Sequence, residues 1–212
     1  MKKILTILIS TVLTVMNIYG QNTDIELESG IKSDVTFLNF QKSGAPDAVS
    51  TLTPGFTIGG FMNLWFKEWI GIRPELNLNF KQTVLGWDDN SGKMQSFGIE
   101  VPIYVMGRLD VFRKHHILFG IGPYTEFSCY ARWMIGDRNV DLLEIHESGT
   151  PMIQDTQSGF GAILGYEFGN GLNIDISYRL CCFNILQPNT SQGVSLYPQS
   201  ISLGLAYKFG KK

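Results

Sequence analysis

The amino-acid sequence predicts an all-β protein, an eight-stranded antiparallel up-and-down transmembrane β-barrel preceded by a cleaved signal peptide. The 212 residues include only 17% charged side chains, whereas an average soluble domain has about 25%. Eight segments alternate between apolar and polar side chains with a period of two, which is typical of strands. After residue 20, polar residues or prolines interrupt the long uncharged stretches. Spanning helices are therefore not expected, and a closed barrel is the other structure that lipid tolerates.

The beginning of the chain has the pattern of a secretory signal peptide. Lys2 and Lys3 supply a positive start, and an uncharged, mostly apolar run leads to a small residue before Gln21. A membrane anchor is the alternative, but the run is short for a span. We therefore expect a signal peptide over residues 1–20 and one barrel domain over residues 21–212. Because the net charge is −2 and no basic run is present, we expect no nucleic-acid partner.

The alternating segments are each close to the ~9–11 residues that a tilted spanning strand needs. The predicted strands cover residues 25–37, 53–65, 69–81, 96–108, 117–129, 158–168, 172–180 and 200–209.

The predicted connections alternate between long and short, as in a barrel with loops on one rim and tight turns on the other. The long polar connections are 38–52, 86–95, 131–157 and 186–199, and the short ones are 66–68, 109–115 and 169–171.

The polar face of these strands carries both charges and glycines. A charge facing lipid at mid-depth costs about 2–4 kcal/mol for Arg or Lys, so the charged side chains are expected to turn inward and form ion pairs. An eight-stranded interior is barely wide enough for side chains, and glycines make room for the ionic ones. The sequence therefore predicts a closed lumen with a structural charge network. Its members are Arg73, Glu75, Glu100, Arg108, Glu126, Glu167, Asp175 and Arg179.

Aromatic residues concentrate towards the predicted strand ends, which is typical of the two interfacial girdles of a membrane barrel. The alternative is that they cap the core of a soluble, lipocalin-like carrier. The short-turn girdle comprises Trp65, Phe66, Trp69, Phe112, Phe168, Tyr207 and Phe209, and the long-loop girdle comprises Phe37, Phe80, Trp87, Trp133 and Phe183.

The last predicted strand resembles the terminal signal that the outer-membrane barrel assembly machinery reads. Its polar, glycine, hydrophobic and aromatic positions are Ser202, Gly204, Tyr207 and Phe209. Three residues follow Phe209, whereas many such barrels end on the aromatic residue. The expected location is the bacterial outer membrane, with its lipids and the assembly machinery as partners.

The three cysteines do not predict a disulfide. Cys129 and Cys182 are expected on the lipid face with one strand between them, whereas Cys181 points into the lumen. Two strand spacings place Cys129 and Cys182 about 10 Å apart, beyond the ~7 Å Cα separation that a disulfide tolerates. We expect three free thiols.

The sequence contains no convincing catalytic, cofactor or metal site. His115 and His116 lie in a predicted short turn, and no paired metal-ligand spacing is present. His146, Glu147 and Ser148 form a triplet in the longest loop without support from a strand. We expect a non-enzymatic protein. A lipid-modifying enzyme similar to a lipid A deacylase remains the alternative.

Three segments carry a resemblance to a known family. Residues 97–108 (FGIEVPIYVMGR), 120–124 (GIGPY) and 178–185 (YRLCCFNI) are similar to the PorT-like outer-membrane β-barrel domain of Bacteroidetes. The resemblance covers about residues 21–209 and implies an accessory role in protein secretion.

The expected function belongs to the surface loops. A general porin is not expected, because an open channel needs many more strands than this length supplies. We expect a monomer with a structural, binding or secretion-accessory role, contacting a protein partner through loops 131–157 and 38–52.

Overall fold

The computed structural model describes residues 25–44, 49–87, 90–112, 114–145, 151–187 and 193–209, so the predicted signal peptide lies outside the described residues. The described part contains no helix long and apolar enough to cross a membrane. The strands are β1 Glu26–Ser43, β2 Val49–Lys67, β3 Ile70–Trp87, β4 Asn90–Phe112, β5 His115–Ile135, β6 Arg138–Asp141, β7 Thr156–Glu167, β8 Leu172–Cys181 and β9 Ser195–Phe209.

Eight of these strands close into a ring, which confirms the predicted fold class. Around the ring the order is β1, β2, β3, β4, β5, β7, β8 and β9, and every neighbouring pair is antiparallel. The ring closes where β9 pairs with β1, in an unbroken register from Ser29 opposite Phe209 to Ser43 opposite Ser195. The short β6 lies outside the ring order and pairs with the end of β5.

The predictions of long loops at 38–52 and 86–95 are wrong, because residues 38–43, 49–52 and 90–95 belong to strands. Strands β1 to β5 are 18–23 residues long, about twice what a span requires. The reason is a reversal of the alternation. From the start of β1 to Phe37 the apolar side chains point outward, and from Leu38 to the end of the strand they point inward.

Beyond the ends of β7 and β8 on the side of the predicted long loops, the barrel wall consists of irregular segments and not of long strands. Strands β7 and β8 have only 12 and 10 residues, and irregular segments continue the barrel wall beyond them. Leu142 N donates to Ala131 O at 2.9 Å, Gln154 N to Ile185 O at 2.8 Å and Ile185 N to Leu196 O at 3.0 Å. The predicted loop 131–157 is therefore partly a hairpin of β5 and β6 and partly this extension of the wall.

The short connections lie at the other rim, as predicted. At the β7–β8 turn, Gly171 adopts a φ of 87°, a conformation that glycine accommodates without a Cβ clash. Asn170 Oδ1 accepts a hydrogen bond from Leu172 N at 3.0 Å. This rim is the short-turn end of the barrel, and the opposite rim is its long-loop end.

Candidate functional site

The middle of the lumen holds a group of charged side chains that are all buried, which we call the mid-lumen charges. The β-strand alternation places them on the inner face of five strands, where the polar positions of the sequence repeat every second residue. They are Lys32, Asp34, Arg73, Glu75, Lys81, Glu100, Glu126, Asp175 and Arg179.

Ion pairs connect these charges between strands. Lys32 Nζ lies 3.2 Å from Asp34 Oδ2 and 3.3 Å from Glu75 Oε2. Arg73 Nε lies 2.9 Å from Glu75 Oε1, and its guanidinium stands 4.0 Å from the centroid of the Phe61 ring. These ion pairs connect β1 and β3 on the inner face of the barrel, and pairing lowers the cost of burying the charges.

Glu100 is the centre of the remaining ion pairs. Arg179 Nε lies 2.9 Å from Glu100 Oε1 in an ion pair, Asn79 Nδ2 donates to Glu100 Oε2 at 3.2 Å, and Lys81 Nζ lies 3.6 Å away. Lys81 Nζ also contacts Glu126 Oε2 at 2.5 Å. The pairs link β3, β4, β5 and β8 across the interior, and they fill the lumen instead of lining a channel.

The structure divides the predicted charge network into two groups. Arg73, Glu75, Glu100, Glu126, Asp175 and Arg179 are mid-lumen charges, whereas Arg108 and Glu167 lie at the short-turn end. The prediction also missed three members. Lys32, Asp34 and Lys81 occupy inward positions on β1 and β3, and the same alternation would have identified them.

The short-turn end is closed by a second set of contacts around Glu28. Lys208 Nζ bridges Glu28 Oε1 at 2.7 Å and Glu167 Oε1 at 2.6 Å. Trp65 Nε1 donates to Glu28 Oε2 at 2.8 Å, and the guanidinium of Arg108 stands 4.5 Å from the Trp65 ring centroid. These contacts connect β1, β2, β4, β7 and β9 at the short-turn end.

Trp65 corrects one girdle prediction, because it is buried in the lumen instead of facing lipid. The alternation along β2 requires this, since Phe61 and Asn63 also point inward. Trp65 belongs to an inner apolar cluster that lies within the barrel. The cluster comprises Trp65, Tyr104, Met106, Leu118 and Ile163.

The long-loop end is closed by a larger group, which we call the outer apolar cluster. Trp133, predicted in the long-loop girdle, packs against this cluster instead. The cluster fills the part of the barrel where the alternation is reversed, so this end has an apolar interior like that of a soluble β-protein. Its buried members are Leu38, Phe40, Leu85, Met94, Ala131, Leu142, Ile153, Cys181, Ile185 and Leu196.

The outer surface carries an apolar belt, and a row of aromatic residues lies at the edge of this belt nearer the long-loop end. Phe56, Phe80, Phe97 and Tyr130 occupy adjacent register positions on β2 to β5. From Ile70 to Phe80 on β3 there are ten residue steps, which rise about 3.3 Å each and, with a tilt of about 40°, span roughly 25 Å along the membrane normal. This height matches the apolar band of a membrane barrel. The exposed aromatic residues at the edge nearer the short-turn end are Phe66, Trp69, Phe112, Tyr207 and Phe209.

Two predicted girdle residues are placed differently from this belt. Phe168 is half-buried and packs edge-on against Tyr166 with ring centroids 4.9 Å apart. Phe183 is exposed in the irregular segment after β8. Phe37 faces outward from β1 and is half-buried. The side chain of Trp87 lies outside the described residues.

The residues of the predicted assembly signal lie on both faces of β9. Ser202 is buried and hydrogen-bonds to Thr36 Oγ1 at 2.9 Å. Gly204 faces the lumen, whereas Tyr207 and Phe209 are exposed and contact each other edge-on with centroids 6.1 Å apart. Their recognition by the assembly machinery stays a prediction.

The predicted free thiols are confirmed. Cys181 is buried, and Cys129 and Cys182 are exposed, with no disulfide among these three described residues.

The described histidines have structural partners at the short-turn end. His116 Nδ1 lies 2.6 Å from Asp110 Oδ1, and His115 Nδ1 lies 3.2 Å from Tyr166 Oη. His146, Glu147 and Ser148 lie outside the described residues. In the part of the chain that the structure covers, no three His, Cys, Asp or Glu side chains are grouped as a metal site.

Comparisons with known proteins concern the fold. No protein-family model and no curated protein sequence matches the chain. Among solved structures, the outer membrane protein OprG from Pseudomonas aeruginosa is 12% identical with a TM-score of 0.51, over 88% of this chain and 95% of that one. Neisserial surface protein A is 13% identical with a TM-score of 0.47, over 85% and 97%. The outer membrane enzyme PagL is 12% identical with a TM-score of 0.37, over 82% and 98%. The chain therefore has the fold of the eight-stranded outer-membrane β-barrels.

Proposed function

We propose that this protein is a non-enzymatic β-barrel of the bacterial outer membrane that acts through its long-loop end in a structural, binding or secretion-accessory role. The observation that carries the proposal is the closed lumen inside an apolar belt. The mid-lumen charges and the two apolar clusters fill the interior, so transport through the barrel is not its function. The long-loop end then offers the contact surface.

The outer-membrane location is supported by the distribution of side chains. Ile31, Leu76, Ile121 and Leu203 are among the exposed apolar residues of the belt, and water would not tolerate so large a continuous apolar surface. A lipocalin-like carrier has the opposite arrangement, with apolar residues inside. Cell fractionation tests the location, because the protein should enter the membrane fraction and migrate faster on gels before boiling than after. Recovery in a detergent-free soluble fraction would contradict the proposal.

The contact surface is proposed at the long-loop end, around residues 136–145 and 182–187. Ile145 and Phe183 are 68% and 62% exposed there, although they lie outside the lipid belt. Residues 38–52, the second predicted contact region, are mostly strand, which leaves residues 44–48 as the connection. A protein partner would bury the exposed apolar side chains, and this is how partner-binding patches usually gain affinity.

Site-specific crosslinking tests this surface in intact cells. A photo-crosslinking residue at Ile145 should capture a discrete protein adduct, whereas the same residue at Leu76, within the lipid belt, should not. Identical adducts at both positions, or none at Ile145, would argue against a protein contact.

The secretion-accessory role rests on the PorT-like resemblance. If it is correct, deletion of the gene should lower the amount of secreted protein in the medium and leave the acylation of lipid A unchanged. Altered lipid A acylation would instead support the enzyme alternative.

A further inference from the structure

The mid-lumen charges do not balance. Four cationic side chains, Lys32, Arg73, Lys81 and Arg179, meet five carboxylates, Asp34, Glu75, Glu100, Glu126 and Asp175, so the group carries one excess negative charge. Of these nine described side chains, eight have an ion pair within 4.0 Å, and Asp175 has none.

Asp175 and Asp34 point towards the same glycine. Both residues stand opposite Gly204 in the register, one on β8 and the other on β1. A Cβ at Gly204 would lie 2.5 Å from Asp34 Oδ1 and 2.8 Å from Asp175 Oδ1, so those two oxygens are at most about 5.3 Å apart. The missing Cβ leaves a small cradle between two carboxylates.

Further oxygens at this position lack hydrogen bonds. Both carboxylate oxygens of Asp175, together with Asp34 Oδ1 and Asn173 Oδ1, are buried with no hydrogen-bond partner among the described residues, and Asp34 Oδ2 has only its ion-pair contact with Lys32. Asp175 and Asn173 are each only 3% exposed. Both approach Gly165, since a Cβ there would lie 2.8 Å from Asn173 Oδ1 and 3.2 Å from Asp175 Cβ. A buried carboxylate without a partner is strongly disfavoured unless something neutralises it.

We propose that Asp175, Asp34 and Asn173 form a binding site for one small, hard monovalent cation such as Na⁺. Carboxylate and amide oxygens are the ligands that hard cations select. A single positive charge balances the mid-lumen charges, whereas a divalent ion would leave an excess positive charge beside Lys32. Because Lys32 Nζ already contacts Asp34 Oδ2, the cation lies towards Asp175 and Asp34 Oδ1.

The test uses the full barrel refolded in detergent micelles. At equal ionic strength, the thermal unfolding midpoint of the natural protein should be about 2–4 °C higher in NaCl than in choline chloride, because a ligand that binds the folded state stabilises it. The isosteric variant Asp175→Asn removes the excess charge and should lose this difference while remaining folded. The control Asp155→Asn changes an exposed carboxylate and should keep it.

Direct binding is read from the ²³Na resonance of the same samples. The natural protein and Asp155→Asn should broaden the line more than Asp175→Asn. Equal unfolding midpoints in the two salts, or broadening that Asp175→Asn retains in full, would overturn the proposal. A natural protein whose stability responds to pH but not to Na⁺ would show that a proton neutralises Asp175, and this also overturns the cation site.

Discussion

At the scale of single residues, Glu100 shows how a buried carboxylate is held in the lumen. It accepts hydrogen bonds from Asn77 and Asn79 and forms ion pairs with Arg179 and Lys81. Such a buried group is costly to desolvate, and it is tolerated because its oxygens are satisfied. The consequence is a strong asymmetry: loss of one partner costs more than the pair itself contributes.

Replacing Arg179 by Met should therefore destabilise the barrel by about 3–5 kcal/mol, because Glu100 loses its closest cationic partner in a buried site. Urea unfolding in detergent micelles, followed by tryptophan fluorescence, measures the change. The control Arg138→Met removes the same charge from an exposed position on β6 and should change stability by no more than about 0.5 kcal/mol. Equal effects of the two variants would contradict the role of the ion pair.

Sequence reasoning found most of the mid-lumen charges because the period of two places them on one face. It did not resolve their grouping, since Arg108 and Arg73 occupy equivalent inward positions in the pattern. Only the stagger of the strands brings Arg73 to Glu75 and Phe61, and Arg108 to Glu28 and Trp65.

At the scale of the strand, the reversal of alternation is the feature that sequence reasoning missed. On the short-turn side of the reversal the apolar side chains face lipid, as Phe37 on β1 does. On the long-loop side they form the outer apolar cluster, which includes Phe40. A periodic pattern that changes phase has no clear period in a window that includes the change. Residues 38–43 and 90–95 therefore resembled polar loops.

Phe40→Ala tests whether this cluster holds the long-loop end together. Replacement of a buried Phe by Ala lowers the free energy of unfolding by about 3–5 kcal/mol. Here the loss should loosen the long-loop end while the membrane part of the barrel stays closed. Limited trypsin digestion should then cut near Lys42 and Lys93. The control Phe80→Ala removes the same side chain from the lipid-facing row and should leave the digestion pattern unchanged.

Close approach of strand backbones gives a second prediction at this scale. A Cβ at Gly122 on β5 would overlap the carbonyl oxygen of Ile103 on β4, so Gly122→Ala should force the strands apart at a cost of about 1–3 kcal/mol. In contrast, a Cβ at Gly60 would meet only Gly30 O at 3.5 Å, and Gly60→Ala should leave stability unchanged or raised by up to ~1 kcal/mol. Urea unfolding of the two variants measures the difference, and equal destabilisation would contradict the backbone clash.

At the scale of the whole molecule, the barrel combines two kinds of interior. The membrane part is ionic inside and apolar outside, and the extension at the long-loop end has an apolar interior. The contacts of Glu28, Lys208 and Trp65 close the short-turn end. The interior is therefore filled along its length, which favours a role at the surface.

A filled lumen predicts the absence of steady ion conductance. The natural protein in a planar lipid bilayer should show no stepwise currents above those of a bilayer treated with detergent alone. Reproducible single-channel steps that scale with protein concentration would contradict the closed lumen and the proposed function with it.

The sequence by itself determined the class of the fold, the number of strands and the inward face of each membrane segment. A period of two, the cost of charge in lipid and the alternation of connections are local properties, and they need no knowledge of the partner strands. The tertiary structure alone decided where the strands end, how the charges pair and where Trp133 lies. These features depend on the stagger of the closed ring, which sets the height of each side chain relative to its neighbours.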